Sequence, residues 1–200
     1  MSRKHVLKFL ANDIERKKIF FQFTLMLTAA LIGGICFVKA FESSISYDVR
    51  TRVISSLTLS SFADVDLTYI LKVCLPYFIS VPIIFIFSFS YVSYVISDII
   101  LALNGFITGA LVSLVALCLS PAETLIAVAF IISAITSLLI LLHFAHTCAL
   151  LSLGIRLRAT NGRMIIASKS ILLLIIKAFA ALGTVIILTL VRSLALLFFT

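Results

Sequence analysis

His143 and His146 stand three residues apart in an apolar stretch near the chain's C-terminal third, a spacing that sets two imidazoles on one face of a helix. Imidazoles so placed suit zinc or proton transfer. Zinc needs further ligands, and Glu123, some 20 residues away, is the nearest carboxylate in sequence. Two more polar residues interrupt apolar stretches, Asn104 and Lys177. Counted from the ends of their stretches, all four lie at similar depth on one side of a bilayer. Polar groups at that depth are costly and invite a functional reading. One reading of Asn104, His143, His146 and Lys177 is a single polar cluster in the inner leaflet that handles protons or ions. The other is hydrogen bonding between helices, with Lys177 extending to the headgroups. Ser97 and Asp98 read as a short link outside the spans, so no embedded carboxylate completes a relay, and the second reading is preferred.

Other chemistry finds no footing. No activated serine or cysteine, no paired carboxylates in a pocket and no phosphate-binding glycine loop occur. The expectation is a non-enzyme without metal or cofactor. Cys36, Cys74, Cys118 and Cys148 match no metal or redox spacing and read as small apolar residues; only Cys36 and Cys74 share a depth that would permit a disulfide.

The elements that carry these residues follow from composition. Apolar residues form 62% of the chain and charged residues 12%, with a mean hydropathy of +1.27. Soluble domains carry roughly 45–50% apolar and about 25% charged residues, so hydrocarbon is the solvent that fits. The net charge of +8 does not signal nucleic acid, because no aromatic stacking platforms accompany the basic residues. Those residues concentrate instead in two blocks that flank apolar stretches: Arg3, Lys4, Lys8, Arg16, Lys17 and Lys18, then Arg156, Arg158, Arg163 and Lys169. That is the pattern of segments retained on the cytoplasmic side.

The spacing predicts an all-α, polytopic transmembrane bundle of about five spans, each long enough to supply the roughly 20 residues that cross a bilayer. Residues 1–18 form a basic amphipathic segment on the cytoplasmic surface, and its long charged run excludes a cleaved signal peptide. The transmembrane domain occupies 19–200. Span one covers 19–38, with Ala29, Ala30, Gly33 and Gly34 as small residues for close helix approach. An acidic outer loop follows at 40–67, with room for an interfacial helix. Span two covers 69–96 and is kinked or broken by Pro76 and Pro82. Span three covers 99–119, span four 124–154, and span five runs from 171 to the end. A basic cytoplasmic loop at 155–169 turns at Asn161-Gly162. Five crossings leave the C-terminus outside and keep both basic blocks inside.

Gly105 and Gly109 share a helix face where two backbones can meet, with Asn104 placed to bond across that seam. Glu123 stands at the start of span four, either as a cap suited to a helix N-terminus or as a partner contact. The stretch Leu101-Ala-Leu-Asn-Gly-Phe-Ile-Thr-Gly-Ala-Leu111, followed by Ala122-Glu123-Thr-Leu-Ile-Ala127, resembles the stage II sporulation protein M family. The motif likeness covers about residues 100–135, and the order of basic N-terminus, outer loop and hairpins is also similar. Ala63-Asp-Val-Asp-Leu67 departs from the Asn-rich entry to the second span expected in that family. The resemblance implies a non-enzymatic membrane scaffold for extracytoplasmic peptidoglycan-remodelling partners, with Asn104, Gly105, Gly109 and Glu123 as motif positions. A transporter or permease-like subunit is the alternative, drawing on the polar cluster and the interrupted second span.

Overall fold

The computed structural model describes residues 3–45, 67–90, 92–118, 124–159 and 168–199. Among the described residues there are five α-helices and no strand: α1 (Arg3–Ala40), α2 (Leu67–Phe87), α3 (Ser93–Cys118), α4 (Thr124–Ala159) and α5 (Ser168–Phe199), with a 3₁₀ turn at Glu42–Ser44 after α1. Polarity is distributed inside out. Phe21 is 69% and Phe179 72% exposed, whereas Ser88, Ser93 and Ser97 are fully buried. Water would penalise that arrangement and hydrocarbon favours it, because buried polar groups then meet one another rather than lipid. Four segments are long and apolar enough to cross a membrane: Ile14–Ala40, Ser93–Cys118, Ala127–Leu153 and Ile171–Ser193.

Side-chain pairings fix the helix directions. Gln22 meets Asp98 and Leu27 meets Gly105, while Leu31 meets Gly109, so α1 and α3 run parallel. Parallel neighbours need a returning segment between them, and α2 is that segment: Ser80 meets Asn104 and Tyr77 meets Thr108, antiparallel to α3. Tyr77 and Ser90 reach Ser137 and Ser152, which sets α4 parallel to α2. Arg192 over Phe130, with Lys177 sharing a groove with His143, sets α5 antiparallel to α4. The start of α1, the end of α4 and the start of α5 therefore share one end of the bundle, which brings together the helix ends that carry basic residues of both blocks. Phe23, Ile84, Leu101, Leu138, Leu141 and Leu174 fill the middle.

Three boundaries differ from the sequence reading. The N-terminal segment is not a separate surface helix, because α1 runs unbroken from Arg3; at 1.5 Å per residue its 38 residues span about 57 Å, well beyond a core of about 30 Å. The second helix continues through Pro76 and Pro82 and ends at Phe87, so residues 93–96 belong to the next helix. Serines make the break: Ser88 Oγ donates to Phe85 O at 2.6 Å, and Ser90 Oγ accepts from Val92 N at 3.2 Å. Such local bonds compete with the helical ladder. Asp98 consequently lies inside α3, about one and a half turns from its start, rather than in a link. Most of the outer loop, residues 46–66, the Asn161-Gly162 turn and Glu123 lie outside the described residues.

Candidate functional site

At the α1–α3 seam the two backbones approach closely. A Cβ built on Gly109 would overlap the Leu31 carbonyl, and one on Gly34 would overlap the Phe106 carbonyl and lie 2.7 Å from Ala110 N. At Gly105 it would stand 3.0 Å from Leu27 O and 3.3 Å from Ala30 Cβ. Ala30 and Gly34 on one helix thus fit Gly105 and Gly109 on the other, and the Phe37 and Phe106 rings close the edge at 5.6 Å. Gly33 stands outside this contact, with Phe106 Cδ2 at 3.9 Å.

Asn104 does not bond across that seam. It points the other way, into the bundle, where Nδ2 donates to Ser80 Oγ on α2 and to Ile100 O, both at 2.8 Å. Interhelical hydrogen bonds in membrane proteins contribute about 0.6 kcal/mol on average and at most about 1.7. A double-mutant cycle of Asn104→Ala and Ser80→Ala should return a coupling in that range; additive effects would mean the two side chains do not meet.

The four residues of the candidate cluster do not share one contact. Asn104 is interior, and the two histidines serve different sides of α4. His143 is exposed and lines a groove between α4 and α5 with Lys177. His146 lies 3.3 Å from Arg16 O and meets the Phe20 ring edge-on at 5.3 Å, beside α1. One helical turn of separation does not place both on a common contact, because α4 is flanked by neighbours on two sides. Among the described residues no group of three His, Cys, Asp or Glu side chains is placed to hold a metal ion. Cys74 is buried, its thiol 3.4 Å from Thr189 Oγ1 on α5 rather than against Cys36.

Two polar layers were not anticipated. Toward the basic end, Gln22 Nε2 donates to Asp98 Oδ2 at 3.1 Å, and Phe23 stacks on Tyr94 at 5.4 Å. Asp98 Oδ1 and the hydroxyls of Ser93 and Ser97 are buried without a hydrogen-bond partner among the described residues. Toward the other end, Tyr77 hydrogen-bonds Thr108 and Ser137, and the Arg192 guanidinium, 7% exposed, sits 5.2 Å from the Phe130 ring centre. The signal for the first layer was present: Ser93, Ser97, Leu101, Asn104 and Thr108 recur at helical spacing as one buried face. Reading Ser97 and Asp98 as a link, with Ser93 in the preceding span, concealed it. Arg192 was visible as the second cation, after Lys177, in an apolar final span.

The fold and these layers define a multi-pass helical membrane protein. Compared with protein-family models, with curated proteins and with solved structures, the chain matches none at a significant level.

Proposed function

We propose that this chain is an integral membrane scaffold that positions extracytoplasmic peptidoglycan-remodelling partners, crossing the cell membrane five times with its basic end cytoplasmic and the end of α5 outside. The carrying observation is the interlocked α1–α3 backbone, in which Gly34, Gly105 and Gly109 leave no space for one helix to slide on the other. A fixed platform suits docking better than alternating access. The likeness of the Asn104-Gly105…Gly109 stretch to the stage II sporulation protein M family supports the same reading, and the acidic loop at 40–67 faces outside under this orientation. Affinity purification from mild detergent tests it. Recovery of wall hydrolases supports the scaffold, and recovery of a nucleotide-binding ATPase would overturn it.

A transport reading has one observation in its favour: Asp98 is a carboxylate within a span, bonded through one oxygen to Gln22. Asp98→Asn retains an acceptor for Gln22 and removes the ionisable group. For a scaffold, this variant recovers partners undiminished. Proton flux into proteoliposomes that the variant abolishes would establish transport instead.

A further inference from the structure

We infer that the groove between α4 and α5 at the basic end of the bundle is a seat for one anionic phospholipid. The groove holds about 380 Å³, within the range of roughly 300–1,000 Å³ typical of small-molecule sites. Its long axis follows the helices. On α5 the lining residues Lys177, Ala180, Ala181 and Thr184 recur at one-turn spacing, and Thr136 and His143 mark the matching ends on α4. Seven residues separate the two ends of each row, a length of about 10 Å. Ala180 and Ala181 hollow the floor by being small.

The two ends differ in chemistry. Lys177 gives a cationic mouth, with the His143 imidazole beside it, toward the end of the bundle where α1 and α5 start. At the far end the threonine hydroxyls are already engaged: Thr136 Oγ1 donates to Ile132 O at 2.7 Å and Thr184 Oγ1 to Ala180 O. What they present to the groove is methyl. Among the described residues no carboxylate lines it. A cationic mouth over an apolar trough fits a phosphate headgroup with an acyl chain beneath, and the Lys177 stem lets its ammonium rise to headgroup level. A second copy of the chain fits poorly. Two copies in one membrane related by a two-fold axis would bring Lys177 and His143 against their own counterparts at the same depth.

Native mass spectrometry of delipidated protein, offered equimolar phosphatidylglycerol and phosphatidylcholine, tests the assignment. Wild type should retain phosphatidylglycerol preferentially. Lys177→Gln should lower that preference about fivefold, the worth of one lysine near an anionic surface, while Lys177→Arg keeps it. Ala181→Leu, which fills the floor, should lower retention of both lipids. A thermal-unfolding measurement on the wild type stands independently of any variant: phosphatidylglycerol should raise the midpoint more than phosphatidylcholine. Equal retention of the two lipids, an equal thermal effect, or a preference unchanged in Lys177→Gln would overturn the proposal. So would lipid-independent Thr184→Cys cross-linking between copies.

Discussion

Gly109→Ala and Gly34→Ala should each cost about 3 kcal/mol, the upper end for overpacking a close-packed site, and the Leu variants at either position should leave little folded protein. A Cβ at these positions meets backbone carbonyls rather than the pliant tip of a side chain, so α1 and α3 must separate along the whole seam. Gly183→Ala is the matched control. Nothing lies within 4 Å of its built Cβ, and removing a helical glycine there should stabilise by about 0.5–1 kcal/mol. Thermal unfolding in detergent reads all three. If Gly109→Ala melts with the wild type, α1 and α3 are not in contact and the platform has no physical basis.

Phe130→Leu should cost about 2 kcal/mol through its neighbour Arg192, because a desolvated cation over an aromatic face is stabilised by roughly that amount. Leucine keeps the site apolar and removes the quadrupole. The double variant Phe130→Leu with Arg192→Met should cost less than the sum of the two single variants, since the contact between ring and guanidinium can be lost only once. The measurement is a double-mutant cycle on unfolding in mixed detergent. Strictly additive single effects would show that the guanidinium and the ring do not interact.

The positions of the helices were legible in the sequence because hydropathy and length suffice to mark a membrane-crossing segment. Thr124 as the start of α4 was read to the residue. The glycine pair on α3 was legible for a related reason: only close backbone approach favours Gly105 and Gly109 at that spacing over larger apolar residues. Which face of a helix turns inward was harder. In water an amphipathic stripe announces the buried face; in lipid leucine suits either side, so Asn104 was assigned to the Gly105–Gly109 seam when its partner is Ser80 on α2. The α2–α3 boundary failed on serine, which serves equally as a turn former and as a buried interhelical group. That single ambiguity moved Asp98 from a loop into a span and removed the premise that no carboxylate was embedded. The separate surroundings of His143 and His146 were not legible, since nothing in local spacing says that α4 has a neighbour on each side.

The parallel run of α1 and α3 bears on biogenesis. Gln22 and Asp98 are 76 residues apart, and α2 must be synthesised before α3 can arrive beside α1. At synthesis rates of roughly 5–20 residues per second, the first helix waits on the order of 4–15 s with its glycine-bearing side uncovered. During that interval a chaperone or another nascent chain can occupy the vacant flank, so the order of insertion governs whether the pair closes correctly.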